Sequence, residues 1–278
     1  MPEPSSSMPV ASTVSGASQA PRVPLAVRYA AASDIGRVRA RNQDAAYAGP
    51  ALLAVADGFG PAGERASAAA IDALRGLESV VVPADLLNLL SDAVADAGAS
   101  VRSLVESDPG LEGSGSTLTA MLLSGSQLAL VHIGDTRAYL FRDGGLFQIT
   151  HDHTVTQSMI DAGRLTPEEA VSHPQRSLLL RAFSYWRDTD LAGMPPEQVS
   201  AIEKPEASLL DARPGDRYLL TSDGLTNVVP VAAIRETLAA SVLSPAEVVR
   251  RLIRLANEAG GPDNIVCAVA DVTAAPVA

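Results

Sequence analysis

The chain has one cysteine among 278 residues, Cys267, which excludes an intrachain disulfide framework. It sits in the run Asn264-Ile-Val-Cys-Ala-Val-Ala-Asp271 and reads as a core thiol on a strand. No stretch of eighteen unbroken apolar residues occurs, so there is no candidate membrane-spanning helix. The opening Met1-Pro-Glu-Pro-Ser5 lacks the basic start of a secretory signal, and the expected location is cytoplasmic. Basic charge is outnumbered: 21 Lys and Arg face 32 Asp and Glu, a net charge of −11. That balance argues against nucleic acid or an anionic membrane as the main partner. His151-Asp152-His153 has two imidazoles but no third His or Cys close in sequence, so a zinc site lacks its ligands. What remains is ordinary for a globular protein, 47% apolar and 19% charged, and long enough to bury a substantial core.

Residues 1–21 are mostly Ser, Pro, Ala and Gly without periodicity, and read as a disordered tail. Strands are expected at 23–29 and 51–56, then helices at 64–77 and 83–105, where apolar residues recur at helical spacing. The segments 116–123, 127–133, 137–141 and 146–149 are separated by short Gly-rich turns. Connections that short join antiparallel neighbours, because parallel crossovers need a dozen residues or more. Thr166-Pro-Glu-Glu169 and Ser244-Pro-Ala-Glu247 are capping boxes with proline at the first helical position. A strand at 216–220, helices at 231–238 and 245–258 and a last strand at 264–272 complete the pattern. Antiparallel sheets with amphipathic helices before and after them predict layered α+β packing, sheet on sheet with helices outside. No linker interrupts it, so 22–273 reads as one domain and 274–278 as a short tail.

Four acidic residues stand at the tips of these elements. They are Asp44 after Arg39-Ala-Arg-Asn-Gln43, Asp57 in Leu52-Leu-Ala-Val-Ala-Asp-Gly58, Asp223 in Tyr218-Leu-Leu-Thr-Ser-Asp-Gly224, and Asp263 in Gly260-Gly-Pro-Asp-Asn264. A carboxylate after a buried strand and before a glycine sits at a rigid edge where a cation can approach. Several such carboxylates without a matching basic cluster call for hard divalent ions, Mg²⁺ or Mn²⁺. Taken singly, each Asp-Gly is equally a turn capping its own backbone.

Six segments appear in order: Arg39-Ala-Arg-Asn-Gln-Asp44, Val55-Ala-Asp-Gly-Phe-Gly60, Gly115-Ser-Thr-Leu-Thr119, His132-Ile-Gly-Asp-Thr-Arg-Ala-Tyr139, Ser222-Asp-Gly224 and Gly261-Pro-Asp-Asn264. Together they resemble the bacterial branch of the metal-dependent serine/threonine protein phosphatases, the type 2C or PPM family, from about Val27 to Val272. The resemblance implies a four-layer α/β/β/α sandwich with two central antiparallel sheets flanked by helices. It also implies hydrolysis of phosphoserine and phosphothreonine by water activated at a dinuclear Mn²⁺ or Mg²⁺ centre. Asp57 would bridge the two ions, the Gly58 carbonyl would contribute on one side, and Asp223 and Asp263 would bind the other. Asp44 would act through bound water, with uncharged Gln43 weakening the outer shell. Asp135 would share a weaker third ion with Asp223, although a hairpin turn explains Asp135 equally well. Arg39 is matched as the phosphate-binding arginine. Spacing alone cannot choose it, because Arg37, Arg39 and Arg41 share one face of an extended segment. Gly115-Ser-Thr117 reads as a tight turn entering a core strand.

The resemblance places a flap at about 154–182, where His173 and Arg176 could meet a phosphopeptide or simply cap structure. It implies phosphoprotein partners, including a Hanks-type kinase and its targets; a monomer is the default. Two departures stand out. Many relatives carry a histidine after the Asp-Gly motif that protonates the leaving oxygen, and here Ala62 stands in its place. An imidazole restored at 62 is expected to help alkyl phosphates. The stretch 184–207, with Trp186 and Pro195-Pro196, is long and reads as an added docking surface. Two rival readings share the fold: a catalytically weak regulator that binds phosphoproteins, and a stress-signalling phosphatase of an anti-anti-sigma-like protein.

Overall fold

Three separate apolar layers, sorted by alternation along the strands, organise the molecule. The computed structural model describes residues 25–79, 85–185 and 201–275. The tail 1–21, residues 186–200 of the long stretch 184–207, and 276–278 of the C-terminal tail lie outside the described residues. A five-stranded antiparallel sheet has the order β1 (Leu25–Asp34), β12 (Ile265–Ala274), β11 (Arg217–Thr221), β7 (Arg137–Arg142), β8 (Gly145–Gln148). A seven-stranded sheet runs β10 (Glu206–Asp211), β6 (Gln127–Ile133), β5 (Leu118–Ser124), β3 (Leu52–Phe59), β4 (Gly115–Ser116), β9 (Phe183–Ser184), with β2 (Asp44–Ala48) paired to β3.

Successive side chains on a strand point to opposite faces, and each buried strand therefore feeds two cores. On β3, Leu53 and Val55 enter the layer between the sheets with Met121, Leu220, Val266 and Ala268. Leu52, Ala54 and Ala56 point the other way, onto α1 (Gly63–Leu74) and α2 (Leu86–Glu106). On β12, Ile265, Cys267 and Val269 face α6 (Val231–Ala239) and α7 (Pro245–Glu258), while the alternate residues face the first sheet's partner. The result is the α/β/β/α sandwich. Leu52, Leu90 and Leu220 are fully excluded from water, each contributing about 1.5–3 kcal/mol. On α1 the small Ala66, Ser67 and Ala70 are buried and let the helix backbone lie close to β3.

Both capping boxes form: Thr166 opens α4 (Pro167–Val171) and Ser244 opens α7. Several boundaries differ from expectation, for reasons of partnership. Strand β1 continues past Tyr29 to Asp34 because β12 pairs with it along ten residues, which overrides the weak strand preference of Ala30-Ala-Ala-Ser33. β2 is Ala-rich and unmarked in sequence, and is held by β3. The first helix ends at Leu74 and tightens into a 3₁₀ turn, Arg75–Ser79. Residues 36–43 are turns and irregular chain, so the shared face inferred for Arg37, Arg39 and Arg41 does not exist.

Candidate metal centre

Every acidic residue picked from the sequence arrives at one end of the sandwich. The buried run of β3 emerges at Asp57, and the β2–β3 register sets Asp44 directly opposite it. Like charges at opposed positions of an antiparallel pair destabilise it unless something neutralises them. Asp223 starts the short helix α5 (Asp223–Thr226) where β11 leaves the core. Asp263 lies in the loop between α7 and β12, and Asp135 in the turn between β6 and β7.

The electrostatics are those of crowded, half-buried carboxylates. Burial first, then Asp44, Asp223, Asp135 and Asp263, hold the Asp57 carboxyl well above the usual range. Burial, followed by Asp223 and Asp152, does the same for Asp135. Asp223 is raised by burial and by Asp263. Asp44 is pushed up to about 7, mainly by burial, against the hydrogen bond it accepts from Ser222. Its Oδ2 takes the Ser222 hydroxyl at 2.8 Å, but its Oδ1 is buried and has no hydrogen-bond partner.

The surrounding bonds fix these groups in place. The Asp57 N–H donates to Thr117 Oγ1 at 3.0 Å and the Thr117 N–H returns to the Asp57 carbonyl at 2.9 Å. Thr117 therefore brackets Asp57, a role beyond the tight turn read from sequence. Ser222 Oγ also accepts the Val266 N–H at 3.1 Å, tying Asp44 to β12. Asn227 Nδ2 donates to Asp223 Oδ2 at 2.9 Å. Gly58 admits no side chain, since a Cβ would lie 2.0 Å from the Gly63 carbonyl oxygen. Arg39 Nη2 donates to Asp263 Oδ2 at 2.7 Å, and the guanidinium remains half exposed. That bond and the charge of Asp263 raise the Arg39 pKa, with Asp57 and Asp223 adding to the effect.

Asn264 gives the arginine loop its shape. Its side chain donates to the Ile35 and Arg41 carbonyls, each at 2.9 Å, and accepts the Gln43 N–H at 2.8 Å. Gln43 turns its amide to the Gly60 carbonyl at 2.8 Å, which makes it a loop brace. His173 and Arg176 bond within the flap, to the Gln175 N–H and the Val171 carbonyl. In the His151-Asp152-His153 segment, Asp152 takes Arg137 in a fork, His151 bonds Asp161, and His153 Nδ1 accepts the Gly134 N–H.

Among the described residues, no three His, Cys, Asp or Glu side chains form a ready ligand set. The donors nevertheless fit a hard cation. They are oxygen-only, their charges oppose one another, and a buried Asp44 oxygen is orphaned. A chelated sample gives the first testable consequence. A carboxyl whose folded pKa is raised binds its proton more tightly in the native state, so its contribution to stability is present in acid. It is lost as pH rises through the folded value. For Asp44 that value is about 7 against an ordinary 3.8, so the melting temperature in EDTA should fall between about pH 4 and pH 7 and level off above. Mn²⁺ should flatten the slope, and an unchanged slope on adding the ion would remove this cluster as its seat.

Two antiparallel sheets between helix pairs, with a carboxylate cluster and one arginine at the sheet ends, define the architecture of the metal-dependent phosphatases. The family model for protein phosphatase 2C matches residues 36–266, and the chain belongs to that family. It is 50% identical over 253 residues to the serine/threonine protein phosphatase PstP of Mycobacterium tuberculosis, covering 90% of this chain and 46% of that protein. The chain thus spans about half the length of that relative. The crystal structure of M. tuberculosis PstP/Ppp superposes with a TM-score of 0.80 at 48% identity, over 88% of this chain and 98% of the other. A structure of the PstP catalytic domain in complex with two manganese ions gives 0.77 at 47% identity, over 90% and 99%. Protein phosphatase PhpP of Streptococcus pneumoniae is 32% identical, covering 85% of this chain and 94% of that protein. No helix among the described residues is long and apolar enough to cross a membrane.

Proposed function

We propose that this domain hydrolyses phosphoserine and phosphothreonine in proteins, with Asp57, Asp223, Asp263 and the Gly58 carbonyl holding two Mn²⁺ or Mg²⁺ ions. The observation that carries the reading is the opposition of Asp44 and Asp57 across β2 and β3, with a partnerless Asp44 oxygen beside it. When bound, such ions supply positive charge to the phosphate oxygens and activate water as the nucleophile. Asp57 points from the end of a rigid strand, bracketed by Thr117, which suits a group shared between two ions. Asp44, tethered by Ser222, orients water from the side. Asp135 and Asp223 repel each other and are the pair a weaker third ion would relieve. Arg39 is anchored by one Nη2 bond to Asp263, which leaves its other N–H groups for a two-point grip on the phosphoryl oxygens. Phosphoproteins are the substrates, a Hanks-type kinase and its targets among them.

Release of phosphate from a phosphothreonine peptide, measured with Mn²⁺ and with chelator, tests the reading. Turnover should require the ion; turnover undiminished by excess chelator would refute it. Arg39→Ala should raise KM for phenyl phosphates by about 10–100-fold and weaken inhibition by inorganic phosphate to match, because a charge-assisted contact is lost. Arg37→Ala and Arg41→Ala should have little effect on these flankless substrates. Equal effects from all three would mean a diffuse field instead of a grip.

A further inference from the structure

The arginine loop carries more positive charge than one phosphate grip requires. Arg37, Arg39 and Arg41 are all exposed, on a chain whose net charge is −11. Only Arg39 is paired: among the described residues, neither the Arg37 nor the Arg41 guanidinium makes an ion pair or a side-chain hydrogen bond. Both flank the loop of Asp263. The Arg37 N–H donates to the Gly261 carbonyl at 2.7 Å, and its Cγ packs against Gly261, where an added Cβ would lie 2.9 Å away. The Arg41 carbonyl accepts from the buried Asn264, the residue after Asp263. At Gly36 a Cβ would come within 2.2 Å of the Asp263 carbonyl oxygen, so the two loops are in close contact. The backbone on both sides of Arg39 is thus pinned, and the two uncommitted arginines branch from it two residues before and two residues after the phosphate grip.

From this placement we infer that the site selects phosphorylated segments whose neighbouring residues are anionic, with Arg37 and Arg41 receiving the flanking carboxylates or a second phosphate. The inference rests on the phosphatase reading and adds the substrate class. Its sign is opposite to that set by overall charge, since a chain at −11 repels acidic peptides and attracts basic ones. An exposed ion pair is worth at most about fivefold, and two together about 10–20-fold.

The test uses the Mn²⁺-loaded domain and phosphothreonine peptides that differ only in their flanks: glutamate, glutamine, lysine, or a neighbouring phosphoserine. The ratio of kcat/KM for glutamate over glutamine flanks is read within each variant. It should be about 10-fold at low salt and fall toward one in molar NaCl as the charges are screened. It should fall about threefold in each of Arg37→Ala and Arg41→Ala, vanish in the double variant, and be largely kept by Arg37→Lys/Arg41→Lys. The phosphoserine arm shows whether a second phosphate is received as well as a carboxylate; a gain in either arm supports the inference. A preference for glutamine or lysine flanks, or a ratio untouched in the double variant, would overturn it. Aryl phosphate turnover separates this result from a failure of the enzymatic reading. If no substrate turns over, fluorescence anisotropy of the same peptides decides. Acidic flanks favoured, with the preference lost in the double variant, support the inference, and equal affinities reject it.

Discussion

Asp57→Asn should lower phosphate release at saturating Mn²⁺ by about 10²–10³-fold or more, and Asp223→Asn by a similar factor, while both proteins stay folded. Asn keeps the shape of Asp but not its charge, and charge is what the end of β3 is built to present. The same replacement should act in the other direction on the chelated protein. Asp57 is held well above the usual carboxyl range by burial and by four like charges, so its ionised form is unfavourable in the native state. Removing that charge removes repulsion, and chelated Asp57→Asn should melt higher than chelated wild type. A loss of activity joined to a gain in metal-free stability distinguishes a ligand from a merely structural buried aspartate, whose loss would lower both. Near-wild-type turnover in either variant would withdraw that residue from the centre.

The second large effect concerns the leaving group. Phenolates depart without a proton, whereas serine and threonine alkoxides need one, and general acid help is typically worth about 10²–10⁴-fold. Among the described residues His132 and His153 have both ring nitrogens bonded, while His151 and His173 each have one committed away from the carboxylates. His132 contacts Thr119 and the His151 carbonyl, and His151 contacts Asp161. His153 contacts Gly134 and Glu206, and His173 the Gln175 N–H. A plot of log kcat/KM against leaving-group pKa should therefore be steep, with aryl phosphates well ahead of a phosphothreonine peptide. A shallow slope would reveal a proton donor already in place. The structure corrects the expected rescue at position 62. Ala62 is buried, with its N–H bonded to Ser114 Oγ at 2.8 Å at the start of α1. An imidazole there overfills packed space. Ala62→His should cost about 1–3 kcal/mol in a denaturant melt and leave the alkyl-to-aryl ratio unchanged.

Asp57 and Asp223 were legible because a carboxylate that ends an apolar run announces a strand tip without reference to the rest of the chain. The same holds for the hairpins at Ser124-Gly-Ser126 and Gly134-Asp-Thr136 and for the capping boxes at Thr166 and Ser244, whose partners lie within a few residues. Thr117, Ser222 and Asn264 were less legible. They act on residues 60, 178 and more than 220 positions away, and no local periodicity encodes such a partner. Asp44 was visible as an acid but not as the residue facing Asp57, because that depends on the β2–β3 register. Arg39 rested on resemblance alone; in the structure its bond to Asp263 sets it apart from Arg37 and Arg41.

The pairing of β1 with β12 sets how force and attachments reach this domain. The register runs from Leu25–Ala274 at one end to Asp34–Ile265 at the other, next to the loops of Arg39 and Asp263. At about 3.4 Å per residue, the ladder puts roughly 30 Å between its outer end and the carboxylates. An attachment at Leu25 or Ala274 thus joins the ladder at the pole opposite the chemistry. Tension between two such attachments would open the ladder as a zipper, one residue pair at a time from the far pole. The arginine loop would be the last part of that seam to feel the pull.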